Sequence, residues 1–138
     1  MSSHKITSAF ISGMAFSTTL NNHNITIDLD PSDDGNNKGP RPKALMLVSL
    51  AGCTGVDVVM ILNKMRVSFS DFSIDVEGQL SDTEPKVYHT VNIVYNIKVK
   101  IEDESKVEKA IDLSQDKYCG VSAMFRQFCK LTSTIVFK

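Results

Sequence analysis

Three cysteines carry most of the reactive potential of this 138-residue chain. Cys53 sits inside an apolar run, LMLVSLAGCTGVDVVMILNKM, between Gly52 and Thr54-Gly55. Cys119 sits in DKYCGVSAMF, and Cys129 follows ten residues later. The thiolate is the nucleophile, so each site depends on what stabilises its negative charge. A helix starting near Asp116 would put Cys119 in its first turn, where free N–H groups favour an anion and Lys117 adds positive charge. Cys53 lies mid-helix, gains little from the dipole, and has Asp57 one turn on. It needs a cation from elsewhere, and Arg41, Lys43 and Arg126 are the candidates. Cys129 would lie about 15 Å along the helix from Cys119, too far for a disulfide, and is assigned to packing. A buried cysteine that merely fills space is the competing reading for all three.

Other chemistries find little support. His4, His23 and His89 are scattered, and no C-x-x-C or H-x-x-x-H spacing occurs, so no metal is expected. There is no glycine-rich phosphate loop, no G-x-S-x-G elbow and no paired carboxylates. His89 reads as a half-buried sheet residue. A net charge of −1 without a basic stripe argues against nucleic acid. An odd cysteine count and an N-terminus without an apolar signal segment indicate a cytoplasmic protein. Residues 44–62 hold a single charge and could span a bilayer by length. Asp57 at mid-membrane would cost about 2.5–3.5 kcal/mol, and basic residues flank both ends, so no membrane is expected.

The elements that must position the cysteines follow from periodicity. Residues 5–29 read as two or three short strands, with NNHN (21–24) as a hairpin turn. Residues 30–42 form a polar loop of turn-forming residues. A long helix is predicted over 42–65, with Pro42 in its first turn. A strand follows at 72–76. The clearest alternation is at 87–101, with Val87, His89, Val91, Ile93, Tyr95, Ile97, Val99 and Ile101 on one face. Ser105 and Glu108 match a capping box for a helix with Val107, Ala110 and Ile111 inward. Val121, Met124, Phe125 and Phe128 form the stripe of a last helix, and TSTIVF closes the chain as a strand. The expectation is one α+β domain over residues 1–138.

Two glycines inside the long helix cost about 2 kcal/mol relative to alanine. A helix apolar nearly all round needs cover on every side, more than one small domain supplies. A second copy would provide it, with Ser49, Gly52, Cys53 and Val56 on one face and Ala51 and Gly55 four apart allowing close approach. A glycine beside Cys53 also leaves room for a substrate at its sulfur.

GNNKGPRPKALMLVSLAGCTGVDVVMIL followed by KYCGVSAMF resembles the OsmC/Ohr family, the osmotically inducible and organic hydroperoxide resistance proteins. The likeness covers nearly the whole chain. It rests on a G-x-x-P loop, a P-x-x-L-x-x-x-x-x-A-x-C helix and a C-x-V-S opening 66 residues after the first cysteine. The resemblance implies an intertwined homodimer, with antiparallel sheets wrapped around long central helices. It implies a cysteine peroxidase without cofactor or metal. Cys53 would attack an organic hydroperoxide, and Cys119 would condense with it to a disulfide that a dithiol reductant reopens. Family members with strong activity carry a Glu ten residues before the first cysteine, where Lys43 stands here; others place it one later, at Ala44. They also carry an Arg from the N-terminal strands, and the first arginine here is Arg41. The alternative is a non-catalytic dimer that binds a small molecule or senses redox state. Helix position favours Cys119 as the more acidic thiol, while the resemblance makes Cys53 the attacker.

Overall fold

A computed structural model describes residues 1–138, which divide into two compact units, 1–46 and 47–138. The first unit is an antiparallel meander of β1 (Ser8–Ser12), β2 (Ala15–Leu20) and β3 (His23–Ile27). Asn21 and Asn22 take left-handed backbone at φ 50° and 64° and pair Leu20 with His23, the mirror-type turn that matches strand twist. The polar loop after β3 is organised by Asp28. Its buried carboxylate accepts hydrogen bonds from the N–H groups of Leu29 (2.7 Å), Asn36 (3.1 Å) and Lys38 (3.0 Å). Gly39 is needed because a Cβ there would lie 2.0 Å from the Thr26 carbonyl oxygen.

The second unit is built on a mixed sheet ordered β4 (Ser70–Leu80), β5 (Tyr88–Lys98), β6 (Lys130–Phe137). β4 and β5 are antiparallel, whereas β5 and β6 run parallel. That parallel pair departs from the all-antiparallel expectation. It needs a crossover, supplied by α2 (Glu104–Leu113), a single π turn (Ser114–Tyr118) and α3 (Gly120–Arg126). The long helix α1 spans Leu45–Lys64, so all but its first two residues lie in this unit. Residues 42–44 are a turn and not helix: the Leu45 and Met46 N–H groups reach back to Pro42 and Lys43 carbonyls. The overall class is α+β, as expected.

Three local expectations change. The Ser105–Glu108 capping box does not form; α2 starts at Glu104, runs on from a 3-10 turn at Ile101–Asp103, and has no side-chain cap. Val107, Ala110 and Ile111 are nevertheless buried. On β5, Val91, Ile93, Tyr95 and Ile97 face the core, but Tyr88 is buried and His89 exposed. The register steps from Gln79↔Thr90 to Leu80↔Tyr88. This inserts one extra residue, and a one-residue bulge inverts the alternation beyond it. Gly78 makes room for the displaced Tyr88 ring, which would lie 2.6 Å from a Cβ there. In α3, Phe125 is buried as expected, but Met124 and Phe128 of the same stripe are exposed.

α1 buries Leu50, Thr54, Val58 and Leu62, one residue per turn. The opposite ridge holds Val48, Gly52, Val56 and Met60, and its three side chains are 64%, 60% and 53% exposed. By length and composition alone α1 could cross a membrane. Gly55 lies over Ile74 of its own chain, 3.1 Å from a would-be Cβ, whereas nothing approaches Gly52 within 4 Å.

The backbone donors on Asp28, that of Lys38 first, hold its carboxyl below the usual 3.8. A depressed carboxyl stabilises the fold above its unfolded pKa, and that contribution is lost as pH falls through the folded value. Asp28→Ala should therefore speed amide exchange at Asn36 and Lys38 at pH 7. Acidifying the unmodified protein through the lowered carboxyl value should reduce the protection factors of the same two amides once rates are corrected for the intrinsic slowing of exchange in acid, as hydrogen exchange read by mass spectrometry would show.

Candidate functional site

The Thr54 hydroxyl is the point where α1, β5 and the π turn meet. It lies 2.6 Å from Tyr95 Oη and 2.8 Å from Ser114 Oγ, and receives Gln115 Nε2 at 3.2 Å. Gln115 Nε2 also donates to Tyr95 Oη at 2.7 Å, and Ser114 Oγ donates to Asp57 Oδ2 at 3.1 Å. Each hydroxyl has one proton to give, so a single sense of donation satisfies the chain. Gln115 gives to Tyr95, Tyr95 to Thr54, Thr54 to Ser114, and Ser114 to the Asp57 carboxylate. At the head of the chain, Arg126 donates to the Gln115 backbone carbonyl and, at 3.1 Å, to Gln115 Oε1. A buried run of aligned donors that starts on a cation and ends on an anion is mutually polarising.

This lattice fixes the two thiols. Cys53 and Asp57 flank Thr54 on α1, and the π turn delivers Cys119 opposite them. The two sulfurs and a carboxylate oxygen of Asp57 all lie within 4.8 Å of one another. Cys119 is buried and Cys53 half-buried. Cys119 is the cap residue of α3, one position before the helix. Its N–H donates to the Ser114 carbonyl at 2.7 Å, and its sulfur accepts the Ser122 N–H at 3.3 Å. The expected helix start near Asp116 is thus replaced by a π turn, a feature often found at functional sites. The Val121 N–H acts on Cys53, so both thiols face free amides at the start of α3.

Burial pushes the Cys53 thiol above its usual 9.0, and Cys119 and Asp57 push it the same way; only the Val121 N–H pulls it down. Arg126 is hydrogen-bonded to Gln115. Arg41 lies in the first unit, paired with Asp30 at 3.1 Å and bonded to Asn37 and the Gly39 carbonyl. Lys43 is exposed in that unit. Cys129 packs against the core and donates to the Phe125 carbonyl at 3.2 Å. A cavity of about 380 Å³ opens beside Asp57, lined by Met60, Ile61, Lys64, Leu113 and Tyr118.

Thr54, Tyr95, Ser114 and Gln115 are the site residues that sequence reasoning missed. Tyr95 reads as one more inward strand residue, and Ser114-Gln115 as a helix junction. A threonine and an aspartate three apart in an otherwise apolar run were the available signal.

The fold and the facing thiols define an α+β dithiol protein. The sequence profile of the OsmC-like protein family matches residues 35–134, and the chain belongs to that family. Protein YhfA of Escherichia coli K12 is 27% identical over 124 residues, 89% of this chain and 90% of that protein. A solved structure of a hypothetical protein from Aquifex aeolicus VF5 superposes with TM-score 0.81 at 30% identity, covering 100% of this chain and 99% of the other. An organic hydroperoxide resistance protein from Elizabethkingia anophelis shares the fold at TM-score 0.70 and 13% identity, with 99% of each chain covered.

Two outcomes are expected. Thr54→Val removes the shared hydroxyl and strands buried partners, at a cost of roughly 1–3 kcal/mol, read as a lower denaturant midpoint with unchanged slope. Asp57→Asn removes a charge that opposes the Cys53 thiolate, so alkylation of Cys53 at pH 7.5 should become several-fold faster by iodoacetamide trapping.

Proposed function

We propose that this chain is a slow, cysteine-based peroxidase for organic hydroperoxides, working as a homodimer in the cytoplasm over one OsmC-like domain. The observation that carries the reading is the close approach of Cys53 and Cys119 beside the free amides of α3. The Cys53 thiolate attacks the outer peroxide oxygen. An S–O bond forms, the O–O bond breaks, and the alcohol leaves after taking a proton. The Cys119 sulfur then attacks the sulfenic sulfur, water leaves, and a disulfide closes. A dithiol reductant restores both thiols by exchange. The apolar cavity beside Asp57 suits the organic part of the substrate. Slowness follows from charge: burial, Cys119 and Asp57 all oppose the Cys53 thiolate, and turnover should rise with pH as that thiol ionises. Arg41, Lys43 and Arg126 are the proposed thiolate-stabilising residues; Arg41 would first have to leave Asp30, and Arg126 leave Gln115.

The homodimer reading rests on the exposed ridge of α1. Gly52, Gly55, Val56, Val59, Met60 and Phe72 line a wholly apolar groove of about 390 Å³, a surface that association would cover. A second functional reading, a ligand-binding or redox-sensing dimer, is favoured by the raised Cys53 thiol beside a ready-made cavity.

Cumene hydroperoxide with dihydrolipoamide is the deciding assay. Cys53→Ser should abolish turnover, and Cys119→Ser should stop after one turnover with Cys53 as sulfenic or sulfinic acid by mass spectrometry. Oxidation of Cys119 first, with Cys53 free, would reverse the roles. No reaction of either thiol at millimolar peroxide would select the binding reading. Sedimentation at micromolar concentration should give twice the 15.2 kDa chain mass; a monomer throughout would sink the dimer.

A further inference from the structure

We infer that the reduced site is also a binding site for a thiophilic divalent cation of the zinc class, ligated by Cys53 Sγ, Cys119 Sγ and the Asp57 carboxylate. The inference does not depend on the peroxidase reading. Two sulfurs and one oxygen within 4.8 Å of one another form an S₂O donor set. Tetrahedral zinc with Zn–S near 2.3 Å would hold its sulfurs roughly 3.8 Å apart, so the two sulfurs need to close by no more than about 1 Å. Thiolates select zinc-like ions, whereas calcium and magnesium require more oxygen ligands. Three protein ligands leave a fourth position for water, the pattern of an open zinc site.

The surroundings favour a cation. Cys119 and Asp57 are the charges that act on Cys53, and both carry or develop negative charge. The nearby cation, Arg126, is occupied by Gln115. The Ser114 hydroxyl donates to the Asp57 carboxylate, a bond of the kind that orients ligating carboxylates. The Ser122 hydroxyl is fully buried without a hydrogen-bond partner, and the amide of the same residue meets Cys119 Sγ. Sequence spacing conceals the set, because its two cysteines are 66 residues apart.

Binding balances as one M²⁺ plus two thiols giving a metal dithiolate and two released protons, with the Asp57 carboxylate already ionised. The same sulfur lone pairs form the disulfide, so oxidation of the pair must eject the ion. A bound ion in turn shields both thiols.

The test is anaerobic titration of the fully reduced full-length chain with Co²⁺, followed by Zn²⁺. The expected result is one Co²⁺ per chain, with thiolate-to-metal charge transfer and tetrahedral ligand-field bands that one equivalent of Zn²⁺ displaces. Cys53→Ser and Cys119→Ser should each lose most of the charge-transfer intensity. Asp57→Asn should keep that band but bind about tenfold or more weakly. The disulfide form of the unmodified chain should bind no Co²⁺ there, a control that needs no substitution. No charge-transfer band in the reduced chain, a band that survives either serine variant, or unchanged affinity in Asp57→Asn would overturn the site. Peroxide turnover, assayed separately without metal, fails or succeeds independently of these outcomes.

Discussion

Thr54 places a hydroxyl where an apolar helix, the central strand and the π turn converge, and three other buried polar side chains close around it. Leaving any of these groups unpaired in the interior would cost on the order of 1–3 kcal/mol each. The lattice therefore permits only one registration of α1 against β5 and the Ser114–Tyr118 turn. Cys53 and Asp57, on either side of Thr54, inherit their positions from it. Cys119 inherits its position from the π turn, whose Ser114 carbonyl binds the Cys119 amide. A scaffold of hydrogen bonds on Thr54 and Ser114 positions the elements that carry both thiols.

The electrostatics of the site divide between its two ends. The relay begins on the Arg126 guanidinium and ends on the Asp57 carboxylate, so its dipoles point one way. The positive end is bonded to Gln115 in the turn, and the negative end lies among the thiols. Free amides of α3 partly compensate, one on each sulfur. Cys53 so placed has its thiol pushed up by burial first and by Cys119 and Asp57 after it.

The glycines of α1 also divide in function. Gly55 sits against Ile74 and serves packing within the chain, whereas Gly52 lies in open space on the ridge with Val48, Val56 and Met60. Leu50, Thr54, Val58 and Leu62 bury one side of the helix, and the ridge opposite them is exposed.

Much of this was legible in residue order. The α+β class, the three N-terminal strands with their Asn21-Asn22 turn, the long helix and the inward face of β5 all follow from local periodicity and turn chemistry. These are short-range constraints that a chain cannot evade. Cys53 and Cys119 stood out by their flanking residues, and the structure brings their sulfurs together. The parallel pairing of β5 with β6, the bulge that buries Tyr88 in place of His89, and the π turn were decided by tertiary packing. Each trades a small local cost for burial of distant groups. The relay from Arg126 to Asp57 joins residues up to 72 positions apart, and no local pattern encodes it. Sequence named the two thiols and read Asp57 only as an opposing charge. Only the fold decided that three negative-tending groups would share one half-buried corner, because that corner is set by where Thr54 finds its hydrogen bonds.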